Sequence, residues 1–170
     1  PTLDDPHTGG RCEDPNDRDD GDLIVPLGTS LEWDPPNTTL RSDANRGNDS
    51  LSVASGAAFN EGDEILILNQ QGEDAGTYEV VLVAKATSNT LTIEPPLAHG
   101  YDSDDLVRVQ RVPHYDSVTV EGTLVTPAWD PEIGGGALMF HVFPIKVADP
   151  TRAVAESKVT FCVLAESPAA

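Results

Sequence analysis

Four histidines, two cysteines and one acidic run are the residues here whose types could do chemistry. The run "EDPNDRDDGD", residues 13–22, has the oxygen-rich texture of a calcium loop. A helix–loop–helix calcium site needs oxygen ligands at loop positions 1, 3 and 5, glycine at 6 and a bidentate acid at 12. With Gly21 at position 6, Asn16 and Asp20 fit positions 1 and 5. Arg18 and Leu27 then occupy positions 3 and 12, and neither can ligate a cation. A solvated acidic arm is the better reading, with a looser calcium site as its alternative. Asp102, Asp104 and Asp105 form a second acidic cluster in a turn-like stretch and read the same way.

His7, His99, His114 and His141 are scattered, and none has a partner at the short spacing of a zinc motif. They read as ordinary surface or strand histidines, so no metal ligand is assigned. No GxSxG occurs, and no Ser or Cys has a base nearby in sequence. "GGG" at 134–136 lacks the lysine and following helix of a phosphate loop. No catalytic and no cofactor-binding residue is assigned, and the expectation is that the chain is not an enzyme. A hydrolase with distant carboxylates is the least favoured reading.

Cys12 and Cys162 lie near opposite ends. In an exported protein they would pair, tying the N-terminal arm to the last strand; two separate thiols are the competing reading. The chain begins at Pro1 without an apolar leader, which reads as a mature exported chain, with trimming as the alternative. Sequons at Asn37 ("NTT") and Asn48 ("NDS") would accept glycans in an organism with that machinery; chance occurrence in a polar loop is the favoured reading. The aromatic side chains placed to stack on a sugar are Trp33, Trp129, Tyr101 and Tyr115.

Charge narrows the partners. Ten Lys and Arg stand against 29 Asp and Glu, a formal net charge of −19. Nucleic acid and anionic lipid both select a cationic footprint, so neither fits. No apolar run is long enough to span a membrane as a helix.

These residues must be positioned by β-structure. Residues 1–22 carry eight acids and one large aliphatic, Leu3, and read as an extended arm. Residues 23–170 read as a single all-β domain, a small barrel or sandwich of about ten short strands. Strands are expected at Leu23–Val25, Ser30–Trp33, Ser50–Ala54, Glu64–Asn69, Tyr78–Lys85, Thr90–Glu94, Leu106–Val112, Ser117–Val125, Ala137–Val147 and Lys158–Leu164. A single helical turn is expected at Thr151–Glu156. "ILIL" at 65–68 and "VVLVA" at 80–84 are apolar on both faces, so something must cover each face. "ALMFHVFPIKV" at 137–147 is interrupted by Pro144, which points to an edge. It would pair with 158–164, either as an intersubunit contact or as an ordinary core pair.

One pattern runs through residues 49–142. An S-V-A-S-G-x-x-F lead (52–59) precedes G-D-E-I-L-I (62–67), G-T-Y-E (76–79) and N-T-L-T-I (89–93). V-R-V and P-x-Y follow within 107–115, then V-x-G-T-L-x-x-P-A-W-D (120–130) and a glycine-rich turn. This stretch resembles a small β-module of bacterial extracellular surface and adhesin-like proteins, and is similar to modules of phage tail-fibre proteins. The resemblance implies that Phe59 plugs a barrel end and that T-L-x-x-P-A-W-D leads into stacked rungs of a β-helix. This chain departs there, since no rung repeat follows. The combined reading is an extracellular or cell-surface structural protein, a fibre or appendage subunit assembling as a homopolymer by strand addition. The alternative is a carbohydrate-binding or adhesive module with surface glycans as partners.

Overall fold

A computed structural model describes residues 20–142 and, as backbone only, the strand 159–164. The arm at 1–19, Cys12, Pro144 and the expected turn at Thr151–Glu156 lie outside the described residues.

Among the described residues the chain is all β apart from one 3₁₀ turn, Ser103–Asp105. In chain order the strands are β1 (Asp22–Val25), β2 (Ser30–Glu32), β3 (Asn37–Thr39), β4 (Ser50–Ser52), β5 (Glu64–Asn69), β6 (Tyr78–Ala86) and β7 (Thr90–Glu94). Then come β8 (Val107–Arg111), β9 (His114–Tyr115), β10 (Ser117–Val120), β11 (Thr123–Val125), β12 (Ala137–Val142) and β13 (Val159–Leu164). Six of them form one antiparallel sheet in the order β3-β8-β5-β6-β7-β4, curled into a half-barrel. A register shift between Val83 and Lys85 interrupts the β6–β7 ladder. Such a shift bends and twists a strand, which favours the curl.

Strand alternation sends alternate residues to opposite sides. Ile65, Ile67, Val81, Val83, Leu91, Ile93, Val107 and Val109 line the concave face, and Phe59 joins them, buried. Leu66 and Leu68 point the other way, into a second cluster with Val112, Ala137 and Met139. The second face of "ILIL" is therefore covered by β12 of the same chain. On β12, Ala137 and Met139 face this sheet. Phe140, on the opposite face, packs with Leu23 and Trp33 in a third cluster that Tyr115, Val118 and Leu124 complete.

β12 is not an edge. It lies between β13, antiparallel, and β9, parallel. Its register sets Cys162 opposite Met139 in the backbone ladder.

The expected single strand Ser117–Val125 is two strands, broken at Glu121–Gly122. Both amides there donate to the Val25 carbonyl oxygen, at 2.8 and 3.0 Å. A Cβ on Gly122 would collide with the carbonyl oxygens of Pro26 and Thr29. The break exists because these segments stack in parallel. Asp22–Val25 runs alongside Ser117–Val120, and Ser30–Glu32 alongside Thr123–Val125. His141–Val142 adds a parallel step on the far side of His114–Tyr115. Segments about ninety residues apart in sequence thus form successive coils, with the six-stranded module inserted between them.

Candidate functional site

The polar groups of interest gather where the six-stranded sheet meets the coils. β5 opens with Glu64, on the same face as Leu66 and Leu68. The Val112 amide donates to the Glu64 carbonyl oxygen at 2.8 Å, extending the β5–β8 ladder by one step. Pro113 has no amide hydrogen to continue it. The chain leaves the sheet and enters β9, which carries His114 over Glu64. On β12, His141 lies on the same face as Ala137 and Met139, and its amide donates to the Pro113 carbonyl oxygen at 2.8 Å.

Three strands thereby bring three side chains together. Nε2 of His114 and Nε2 of His141 each lie 2.7 Å from Oε2 of Glu64. The two imidazoles meet edge to face, with centroids 4.7 Å apart. Side-chain exposure is 18% for Glu64, 12% for His114 and 6% for His141. Burial alone would push the Glu64 carboxyl up; the hydrogen bonds and charge of the two imidazoles outweigh it and hold the group at about 2.

A second ionic group buttresses the first. Arg111 donates to both carboxylate oxygens of Asp20 at 2.8 Å, and through Nε to Asp63 at 3.1 Å. Burial opposes the guanidinium charge, but the two carboxylates outweigh it and raise the pKa above the usual arginine value. Asp20 also accepts the His114 amide at 2.8 Å. The end of the acidic run is thus pinned beside the histidines. Further along the seam, Arg108 donates to Gln110 at 3.0 Å and to Asp34 at 2.9 Å. Gln110 donates to the Ala137 carbonyl oxygen at 2.6 Å.

Several sequence expectations meet the structure here. His114 and His141, read as scattered, converge with Glu64. No short motif could show it, because the three come from strands 27 and 50 residues apart. The only local signals were a charge heading the Leu66/Leu68 face and a histidine on the most apolar strand. His99 is exposed and elsewhere, and His7 lies outside the described residues. Trp33 cannot stack on a sugar: it is 4% exposed, edge-on to Phe140, and its indole N–H donates to the Tyr115 hydroxyl at 3.2 Å. Tyr101 is likewise core, and Tyr115 is half-buried against Phe140. Trp129 keeps partial exposure.

Asn37 lies in edge strand β3, its amide donating to Asp34 and to the Pro35 carbonyl oxygen. Asn48 is exposed in a turn and accepts the Asn45 amide. Asp102 caps the 3₁₀ turn that holds Asp104 and Asp105. Cys12 lies outside the described residues, so its pairing with Cys162 does too.

The loop between β5 and β6 closes as a hairpin, with the Asn69 amide donating to the Thr77 carbonyl oxygen and that of Gly76 to the Asn69 carbonyl oxygen. Its outer residues dock on this chain: Gln70 donates to the Gly135 carbonyl oxygen at 2.9 Å and Gln71 to that of Pro131 at 2.8 Å. No helix of the described residues is long and apolar enough to cross a membrane.

No protein-family model and no curated protein matches the chain. Solved structures similar over part of it include three phage tailspikes. The tailspike of Acinetobacter baumannii bacteriophage AP22, solved in complex with an A. baumannii capsular saccharide, is 19% identical. The match covers 64% of this chain and 21% of that one, with a TM-score of 0.40. The Pseudomonas phage LKA1 tailspike is 21% identical over 58% of this chain and 19% of that one, with a TM-score of 0.39. The Pseudomonas phage phi297 tailspike is 16% identical over 65% and 23%, with a TM-score of 0.38. The chain spans about a fifth of each tailspike's length, and a likeness this partial assigns no function.

It does overturn one expectation. The chain was expected not to be an enzyme because no catalytic motif is visible. The similar structures are tailspikes, one of them solved in complex with a capsular saccharide, and a missing motif decides nothing about activity. The expectation of no enzymatic activity is withdrawn.

Proposed function

We propose that the chain is a structural module of an extracellular or virion-surface fibre, built to continue along the axis of its parallel coils. The observation that carries this reading is the parallel stacking of β1–β2 on β10–β11. Among the described residues each of these strands has one hydrogen-bonded neighbour, so each presents a second edge. An unpaired strand edge is a template for another strand. Apolar side chains gather there: of seven large exposed hydrophobics among the described residues, Ile24, Leu27, Leu31, Val120 and Val125 lie on these strands or the turn between β1 and β2. Ile24 is 60% exposed and Leu27 81%. A contact that adds a strand to one end of such a stack is heterologous and repeats rather than closing.

The full chain is expected to form concentration-dependent oligomers in sedimentation velocity and elongated particles in electron microscopy. Ile24→Glu with Leu27→Glu should suppress both and shift the stability of the fold by no more than about 0.5 kcal/mol per exposed site. A monodisperse monomer at the highest attainable concentration would sink the reading.

A second reading is supported by Trp129. It keeps a partly exposed ring beside Asp130, in a turn braced by Gly135. An indole in that setting can stack on a sugar face while nearby carboxylates accept hydroxyl hydrogens. Trp129→Ala is expected to abolish glycan-array binding and leave the circular dichroism unchanged. Binding that survives the substitution excludes Trp129 as the platform.

A further inference from the structure

We infer that Glu64, His114 and His141 hold one divalent transition-metal ion of the zinc class, bridging the six-stranded sheet to the parallel coils. This goes beyond the structural reading above and does not depend on it. The three side chains offer one ligand atom each, all within 4.8 Å of one another. They come from three strands whose backbones are fixed by ladders or amide bonds, so their convergence is built by the fold. Two imidazole nitrogens and a carboxylate oxygen form a donor set that zinc, cobalt, nickel and copper accept, and that calcium and magnesium do not favour.

The ligand atoms stand near the spacing that an ion needs. Zinc bonds of about 2.0–2.1 Å at tetrahedral angles separate ligand atoms by about 3.3 Å. Both Nε2···Oε2 distances are now 2.7 Å. Each Nε2···Oε2 pair would open by about half an ångström to reach that separation, and the third ligand pair lies within 4.8 Å. The net charge of −19 raises the local cation concentration around the molecule. Three protein ligands leave a fourth position for water or another oxygen.

Outer contacts hold the ligands in place. The His114 amide is fixed by Asp20, which Arg111 grips with two bonds, and the His141 amide by the Pro113 carbonyl oxygen. An ion here would join β5, β9 and β12, and so fasten the inserted module to the coils at its re-entry point.

The test uses the full chain with cysteines blocked, titrated with Zn²⁺ and followed by NMR of the imidazole nitrogens. His7→Gln and His99→Gln assign two of the four rings by elimination. The His114 and His141 signals should shift together and saturate at one equivalent, with Zn²⁺ raising the melting temperature. Co²⁺ in place of Zn²⁺ should give a visible absorption band. His141→Gln should weaken binding by more than the ~10–100-fold that loss of an outer partner costs. The inference is overturned if the two rings do not respond at one equivalent, or if His7 or His99 accounts for all binding. Should His141→Gln fail to fold, the NMR titration of the unaltered chain decides alone.

Discussion

Arg111→Met is expected to destabilise the protein by about 3–5 kcal/mol, because it strips a buried carboxylate of its counter-charge. Asp63 is the carboxylate at stake. Its side chain is fully buried, while Arg111 is 15% exposed and Asp20 22%. Asp63 also accepts the Asn60 amide at 2.6 Å, so the group shapes the turn into β5 as well as meeting the guanidinium. Asp20 can recover part of its hydration when Arg111 is lost, but Asp63 cannot. Most of the cost should therefore track Asp63. Adding Asp63→Asn to Arg111→Met should recover a good part of the loss, giving a coupling in the upper range of about 0.5–3 kcal/mol for residues in contact. Arg111→Lys should fall between, since an ammonium cannot grip Asp20 with two parallel bonds and reach Asp63 as well. Urea unfolding of the wild type, these three variants and Asp63→Asn alone measures this. A loss below about 1 kcal/mol for Arg111→Met would show that the clamp behaves as an exposed pair.

The residues of this clamp show what could be read from sequence and what could not. Glu64–Asn69 and Thr90–Glu94 were legible to the residue, because period-two patterning and flanking turn residues act over a few positions. The all-β class followed from the same signals. Asp20 was assigned to a solvated arm, since nothing within its neighbourhood balances its charge; its partner Arg111 is 91 residues away. β9 was missed because two residues after a proline carry no pattern. The parallel coils were missed for a related reason. A rung repeat is sought at short, regular spacing, and here the coils are separated by an entire inserted module. The same separation hid the Glu64–His114–His141 convergence, which depends on where the coils re-enter. What sequence shows well is which faces are apolar. Which distant segment covers them is a property of topology.

That distinction makes Leu66→Ala a decisive substitution. Strand β5 is apolar on both faces, and sequence leaves open whether this chain or a neighbour covers the second one. Leu66 is nearly fully buried, and its cluster partners Leu68, Val112, Ala137 and Met139 all belong to this chain. Truncation leaves a cavity between two sheets already anchored by the Gln110–Ala137 hydrogen bond, which limits collapse around it. The expected loss is about 2–5 kcal/mol, the range for Leu→Ala in a core. Ile67→Ala, on the concave face, should cost a similar amount. The informative quantity is the concentration dependence. If β12 of the same chain covers Leu66, the unfolding midpoint should fall by the same amount at low and high protein concentration. If a second chain supplied the cover, mass action would make the midpoint rise with concentration in the wild type, and the variant would lose that dependence. Assembly through the coil edges predicts the opposite pattern, with concentration dependence removed by Ile24→Glu and Leu27→Glu and untouched by Leu66→Ala. The two sets of variants therefore separate what folds this chain from what would join it to the next.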